Sequence, residues 1–381
     1  QMLMVALSVG MGTGINSLLS RHLGEKRPEE ARKASWNGLL IECAGSLLFI
    51  LLGALLAEPL MKLVVSDSLM NAEKILQMGI SYLSIVTIFS LGLFLSVYTE
   101  RLLQATGNTT LSMVTQLAGA VTNIILDPIM IFGLLGFPQM GVAGAAIATV
   151  IGQHVSALMG LLLNQFRNPE LKLDIRTFNI SKNALIGIVA VGFPSSVMQA
   201  LGSVMNMGMN GILTGFEQSN AALNVLSIYF KLQSFVFMPV FGLNNGMVPI
   251  VAYNYGAQKP ERIHRTIRLA MTYAFSIMLL GFLIFQIFPT TLLGFFDASP
   301  DMVAIGVPAL RRISLSFIFA GICIISSSTC QALGYSIYGM FISFARQIVV
   351  LIPCALLLSR TGVVDNVWLA FPIAEVISLI I

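Results

Sequence analysis

Charged residues are scarce in this chain of 381 amino acids. Asp, Glu, Lys and Arg together make up 10% of it, against roughly 25% in an average soluble domain, whereas 56% is hydrophobic. So few charges cannot cover a water-facing surface. The composition therefore excludes soluble globular enzymes, disordered tails and nucleic-acid-binding modules.

Cysteine and histidine are also few. The four cysteines lie in apolar stretches without a Cys-x-x-Cys pair, so they indicate neither a disulfide framework nor a metal site. The three histidines, His22, His154 and His264, lie far apart, which disfavours the clustered catalytic groups of a membrane enzyme. No Gly-x-x-x-x-Gly-Lys-Ser/Thr motif occurs, so ATP bound to this chain does not drive its activity.

Long apolar segments dominate what remains. A helix needs about 20 apolar residues to cross a membrane, and the strict alternation of β-barrel strands is missing. The sequence predicts an all-α integral membrane protein with eleven visible spans. These lie near 1–19, 36–57, 76–103, 110–135, 141–165, 184–213, 221–252, 266–288, 303–332, 337–358 and 366–381.

Most basic residues lie between alternate spans. The segments 20–33, 166–183 and 253–268 hold most of the Lys and Arg and fall on one side of the membrane if every segment spans once. Because positive charge accumulates on the cytoplasmic side, we expect these segments to face the cytoplasm.

The chain contains an internal repeat. Residues 20–29 align with 252–261 at an offset of 232, and 104–107 align with 331–334 at an offset of 227. The repeat predicts an N-terminal lobe over 1–165, a cytoplasmic linker over 166–183 and a C-terminal lobe over 184–381. It also predicts one further helix before Gln1 and a truncated last helix. The expected whole is two pseudo-symmetric lobes of six helices, a build that secondary transporters use.

One carboxyl group lies deep within a predicted span. Asp127 is about 19 residues past the cytoplasmic turn at 107–108, and Asn123 is one helical turn earlier on the same face. Pro128 removes a backbone donor and can free a carbonyl oxygen. The group could bind Na⁺ through oxygen ligands or accept a proton, and we expect no other metal site; alternatively, Asp127 caps a neighbouring helix.

A polar stripe runs along one predicted helix of the second half. Gln199, Asn206 and Asn210 share a face, and Met198 and Met205 lie beside them. Adaptable methionine side chains suit a cavity that binds ligands of many shapes, although amide hydrogen bonds between packed helices explain the stripe equally well. The same two interpretations apply to the pair Asn244 and Asn245.

Two more acidic residues lie within first-half spans. Glu100 is near the inner end of its span, where it is either a second protonatable site or a partner of Arg101 or Arg21. Glu42 is six residues into its span, and we expect it to reach towards the lipid headgroups.

Four basic residues of the second half have no assigned role. Lys231 either lines a cavity or pairs with Glu217 or Glu375. The pattern assigns no role to the others, which are Arg311, Arg312 and Arg346.

Taken together, the short motifs resemble the multidrug and toxic compound extrusion (MATE) family, in particular its bacterial drug-efflux branch. The first-half motifs lie at 20–24, 27–31, 104–108 and 123–128, and the second-half motifs at 237–239, 242–246 and 332–334. The resemblance implies an antiporter of the bacterial cytoplasmic membrane that expels cationic, often aromatic drugs in exchange for H⁺ or Na⁺.

The resemblance also implies the surroundings of Asp127. In this family the site draws on a tyrosine, which Tyr82 matches, and on a threonine, which Thr149 matches loosely. It implies no enzymatic activity, no cofactor beyond the coupling ion and no nucleic-acid partner. We expect a monomer within the lipid bilayer.

Two alternatives remain open. A flippase for lipid-linked sugars of the same superfamily should hold several basic residues in its cavity, and the first-half spans have almost none away from their ends. A membrane protein without transport activity would show no counterflow in proteoliposomes.

Overall fold

The computed structural model describes residues 1–64, 72–172 and 178–380. Throughout these residues the regular secondary structure is helical, which confirms the predicted all-α class. The predicted linker 166–183 lies only partly within them, since residues 173–177, including Arg176, are outside the described part of the chain.

The described chain forms two compact units, Gln1–Ser196 and Val197–Ile381. The helices that begin in the first unit are α1 (Met2–Gly24), α2 (Pro28–Val64), α3 (Ala72–Ile88), α4 (Leu91–Ala105), α5 (Thr109–Phe132), α6 (Val142–Arg167) and α7 (Lys182–Leu213). A single 3₁₀ turn, Leu134–Gly136, follows α5. Because α7 crosses from one unit to the next, the lobe boundaries read from the sequence stay a prediction.

The second unit contains shorter elements as well as long ones. Its helices are α8 (Ser219–Gly256), α9 (Pro260–Ile287), α10 (Pro289–Gly294), α11 (Pro300–Ser314), α12 (Phe317–Leu333), α13 (Ser336–Phe344), α14 (Ile352–Ser359), α15 (Val364–Val367) and α16 (Ala370–Ile380). A π-helical segment, Ala345–Leu351, joins α13 to α14.

Ten membrane spans are long and apolar enough in the described part of the chain. Eight are continuous, and two are bent pairs, α3 with α4 at 46° and α11 with α12 at 47°. The predicted eleventh span falls on α15 and α16, of which α16 has only 11 described residues. The predicted count of eleven is therefore approximate.

The backbone repeats with the sequence. Gly107 and Gly334, which are 227 positions apart, both have positive φ, and so do Lys26 and Gln258, which are 232 positions apart. The bends between α3 and α4 and between α11 and α12 also lie at equivalent places. Matching turns at these offsets confirm the duplication, since left-handed backbone at a non-glycine residue is uncommon.

The long helices have an apolar outer face. On α5, Leu117, Val121 and Ile124 are exposed and follow one another at helical spacing, whereas Gly119 is buried. In water such a stripe would be unstable, whereas lipid tails solvate it. The face of α5 opposite this stripe therefore packs inside the unit.

The turn between α1 and α2 collects charges. Glu25 accepts hydrogen bonds from Arg21 Nε at 3.1 Å and from His22 Nδ1 at 3.3 Å. Burial raises the pKa of the Glu25 carboxyl, but the hydrogen bonds from His22 and Arg21 outweigh burial, so its pKa lies below the ordinary value. The turn is thus held by a charged carboxylate among bases.

Candidate functional site

The predicted pair on α5 is present. Asn123 Nδ2 donates to Asp127 Oδ1 at 3.2 Å, and both side chains are partly exposed. The helix continues through Pro128 to Phe132, so the proline leaves the Ile124 carbonyl without its helical donor. A carboxylate, an amide and an open carbonyl are thus found within two turns of one helix.

Close packing holds this part of α5 against α6. A Cβ atom on Gly119 would lie 2.8 Å from the Gly152 carbonyl oxygen, and one on Gly152 would lie 3.2 Å from Asn123 Cβ. Only glycine permits so close an approach of two backbones. Thr149 precedes Gly152 by three residues, about one turn along α6.

The two residues implied by the family resemblance bond elsewhere. Tyr82 Oη donates to Gln1 Oε1 at 2.9 Å, and Thr149 Oγ1 donates to the Ala145 carbonyl of its own helix at 2.9 Å. The structure therefore brings Asn123 and Asp127 together directly, whereas the hydrogen bonds of Tyr82 and Thr149 go to other residues.

Glu100 lies apart from Asp127. It accepts a hydrogen bond from Gln116 Nε2 at 2.9 Å, and Gln116 precedes Asp127 by 11 residues, about 16 Å along α5. This bond was not among the partners expected from the sequence. The two carboxylates do not form a dyad, as the depth of their spans predicts.

The expectation for Glu42 is wrong. Glu42 does not reach the headgroup region; it is 1% exposed and accepts a hydrogen bond from Ser8 Oγ at 3.0 Å. The physical reason is the packing of α1 against α2, which puts the Ser8 hydroxyl beside the Glu42 carboxylate. Ser8 is 34 residues away, so no spacing within α2 could have shown this contact.

Arg101, one of the partners that the sequence suggests for Glu100, is buried as well and interacts electrostatically with Glu100. It is 6% exposed, and its Nη1 donates to Gln104 Oε1 at 2.7 Å, while Gln104 Nε2 donates to Ser112 Oγ at 3.0 Å. A Cβ on Gly12 would lie 3.1 Å from Arg101 Cγ, so Gly12 of α1 leaves room for the arginine. The bonds join α4 to α5.

The predicted polar stripe on α7 is partly accessible in the second unit. Gln199 and Asn210 are exposed, and Asn210 Nδ2 donates to the half-buried Asn206 at 3.0 Å. Met198 lies against Gly339, and Met205 packs against the hydrophobic core. Gln199 and Asn210 are therefore the more exposed members of the stripe.

The asparagine pair on α8 lies beside open space. Asn244 and Asn245 are partly buried, and the Asn244 Oδ1 atom meets no donor within the residues that the structure covers. A Cβ added at Gly242 or Gly246 would meet no atom within 4 Å. A buried amide oxygen next to uncovered helix surface is suited to hold a ligand or a water molecule.

Most of the basic residues that had no assigned role have partners in the second unit. Arg346, in the π-helical segment, forms an ion pair with Glu375 of α16. Lys231 lies instead over the ring of Phe296, 5.7 Å from its centroid. Glu375 is therefore the partner of Arg346, and the suggested pairing of Lys231 with Glu375 is wrong.

The neighbouring arginines of α11 also have contacts. Arg312 Nη1 lies 3.8 Å from Asp365 Oδ2, and Arg311 Nε donates to the Gln286 carbonyl at 3.3 Å. They join α11 to α15 and to α9, which indicates a structural role.

The fold and these buried polar groups define a class. A duplicated helical fold with ionisable side chains inside its spans is typical of secondary transporters. The family model MatE matches residues 1–129 and 194–357, which is most of the chain. The chain belongs to this family.

Curated relatives cover nearly all of the chain. It is 23% identical over 385 residues to the "Probable multidrug resistance protein YoeA" of Bacillus subtilis, spanning 100% of this chain and 81% of the relative. It is 24% identical over 376 residues to the "Multidrug export protein MepA" of Staphylococcus aureus, spanning 97% and 80%. It is 24% identical over 377 residues to an "FAD transporter" of Shewanella oneidensis, spanning 98% and 81%.

Solved structures share the fold. "Crystal structure of MATE in complex with MaL6" aligns with a TM-score of 0.90 at 22% identity, over 100% of this chain and 83% of that one. An outward-facing multidrug resistance MATE family transporter aligns with a TM-score of 0.90 at 21% identity and the same coverage. At these identities the likeness shows the fold alone.

Proposed function

We propose that this protein is a cation-coupled antiporter that exports cationic and aromatic drugs across the bacterial cytoplasmic membrane by alternating access. The observation that carries the proposal is the Asn123–Asp127 hydrogen bond within α5. An ionisable group inside a membrane is costly to maintain and marks an ion pathway by default. Family membership and the multidrug relatives support the same conclusion.

Coupling would arise at Asp127. A proton on its carboxyl, or Na⁺ held by the carboxylate and the Ile124 carbonyl, would compete with the drug through one conformational equilibrium. Asn123 holds the carboxylate by its amide in the ion-free state. Entry of the ion would weaken that bond, because a proton or Na⁺ on the carboxyl group reduces the negative charge of the oxygen that accepts it.

Drug binding would use the polar groups of the second unit. Gln199, Asn206 and Asn210 supply amides on α7, and Asn244 with Asn245 supplies more on α8. The flexible thioether of Met198 suits ligands of differing shape. We propose no cofactor besides the coupling ion, no catalytic reaction and a monomeric state in the membrane.

The test is drug efflux from proteoliposomes that contain the full-length protein and ethidium, under an imposed pH or Na⁺ gradient. A coupling free energy of about 1–3 kcal/mol corresponds to about 5- to 150-fold in affinity, and Asp127→Asn should slow gradient-driven efflux by a factor in that range. Asp301→Asn, an exposed aspartate at the first turn of α11, is the matched control and should leave efflux unchanged.

Efflux by Asp127→Asn at the wild-type rate would disprove the coupling role. The gradient that drives wild-type efflux, of H⁺ or of Na⁺, identifies the coupling ion.

A second candidate is export of an anionic dinucleotide, which the FAD transporter relative suggests. The side chain of Arg346 is 27% exposed and provides a cation in the second unit. Loading FAD in place of ethidium into the same proteoliposomes tests this candidate.

A further inference from the structure

Glu42 is a buried carboxyl group that takes no part in the coupling proposed at Asp127. It lies 1% exposed within α2, and one of its oxygens, Oε2, accepts the Ser8 hydroxyl of α1. The other oxygen, Oε1, meets no donor in the part of the chain that the structure describes. A buried polar oxygen without a donor calls for an explanation, since most such atoms in folded proteins are bonded.

The titratable groups around Glu42 come from few elements. Arg101 and Tyr98 of α4 and Cys43 of α2 itself interact with it electrostatically. The contact from α1 is the neutral Ser8. Arg101 favours the charged carboxylate, whereas the apolar surroundings favour the neutral acid.

The charged residues of α3 are too distant to take part. Ser46 of α2 and Ser90, which follows α3, lie side by side with their Oγ atoms 3.2 Å apart. Glu73 and Lys74 begin α3, about 25 Å along the helix from this level. The charge state of Glu42 is therefore set by α1 and α4.

These contacts fully stabilise neither the charged nor the neutral form of Glu42. The carboxylate has one neutral donor and an attraction to Arg101, but its second oxygen has no compensation. A proton on that oxygen removes the buried charge, which is the usual outcome where pairing is insufficient. The balance depends on Ser8, and Ser8 moves with α1.

The helix α1 packs closely against α4 and α7 near Ser8. A Cβ on Gly12 would lie 2.8 Å from Val97 Cγ1 of α4, and a Cβ on Gly10 would lie 2.3 Å from the Ser196 backbone nitrogen of α7. Ser196 Oγ also donates to the Leu7 carbonyl at 3.2 Å. Near Ser8, α1 therefore contacts the part of α7 that belongs to the same unit.

We propose that Glu42 is a second protonation site of the transport cycle, which takes up and releases a proton as Ser8 of α1 leaves and rejoins its carboxylate. The proposal rests on the proposed function, since it adds a second site to the coupling at Asp127. On release the proton passes to water, Glu42 becomes a carboxylate and the Ser8 bond forms. On uptake the carboxyl group is neutral, so its bond from Ser8 weakens and α1 is held to it less tightly.

The experiment measures proton release when ethidium binds to the purified full-length protein in weakly buffered detergent solution. If both Glu42 and Asp127 release a proton, Glu42→Gln should release roughly half as many protons as wild type. Glutamine still accepts the Ser8 bond but cannot titrate. Glu58→Gln is the matched control: Glu58 lies on the same helix, its side chain is 61% exposed, and release should be unchanged.

Wild-type proton release by a folded Glu42→Gln protein would overturn the proposal. Should that variant fail to fold, Ser8→Ala decides. A shifted pH midpoint of release supports the proposal, and an unshifted midpoint overturns it.

The result also separates the two proposals. Loss of release in Asp127→Asn with full release in Glu42→Gln removes only the second site. If the wild type releases no proton on drug binding, proton coupling fails at both sites.

Discussion

The contact between α1 and α7 makes a sharp prediction about Gly14. A Cβ atom at this position would lie 2.2 Å from the backbone carbonyl oxygen of Ile188 and 2.9 Å from the backbone nitrogen of Gly192. Both obstacles are backbone atoms, so no side-chain rotation can relieve them. Gly14→Ala therefore forces one helix away from the other.

The size of the effect follows from the geometry. An ordinary contact needs at least 3.4 Å, so the backbones must separate by 3.4 − 2.2 = 1.2 Å at this point. Overpacking of a well-packed interior costs about 1–3 kcal/mol in free energy of unfolding. For units of this size, each kcal/mol lowers Tm by about 2–4 °C.

The assay is thermal unfolding of the purified protein in detergent, with efflux measured in parallel. Gly202→Ala is the control on α7, because a Cβ there would meet nothing within 4 Å. It should leave Tm unchanged or raise it, since alanine favours a helix over glycine by up to about 1 kcal/mol. A Gly14→Ala protein that melts with the wild type would refute the close approach of α1 and α7.

Two further predictions concern charged groups. Arg346→Met leaves the Glu375 carboxylate buried without its ion pair and should lower Tm. The loss in free energy of unfolding should be smaller than the about 3–5 kcal/mol that breaking a fully buried pair costs, because Arg346 is 27% exposed. Arg360→Met, at an exposed arginine, should leave Tm unchanged. Because its pKa is lowered on folding, Glu25 stabilises the protein above the ordinary glutamate pKa of about 4.3, and this contribution is lost as the pH falls through the folded value. The Tm difference between wild type and Glu25→Gln should therefore be present at neutral pH and disappear in acid, and a constant difference would contradict the assignment.

Local patterns predicted much of the fold and one contact of the site. Apolar runs long enough to cross a membrane identified the helices, and the repeat offsets of 227 and 232 recur in the left-handed turns at Gly107, Gly334, Lys26 and Gln258. Asn123 and Asp127 could be paired because residues four apart on a helix are neighbours whatever the tertiary structure.

Contacts between distant segments were harder to predict. The burial of Glu42 depends on the packing of α1 against α2 at Ser8, 34 residues away. The pairing of Arg346 with Glu375 joins the π-helical segment to α16, 29 residues away. Sequence spacing within one helix cannot show which residues of other helices these charges meet.

The sequence by itself determined that the chain lies in a membrane, that its spans are helical and that it is duplicated. Hydropathy and helical period are properties of neighbouring residues, so they can be read without the tertiary structure. The tertiary structure decided which buried charges have partners. Glu42 beside Ser8, Arg101 beside Gly12 and Arg346 beside Glu375 arise where helices cross, and the crossings are set by packing over the whole surface of each helix. A polar group in lipid must find its partner at such a crossing, so its role is determined only once the helices have assembled.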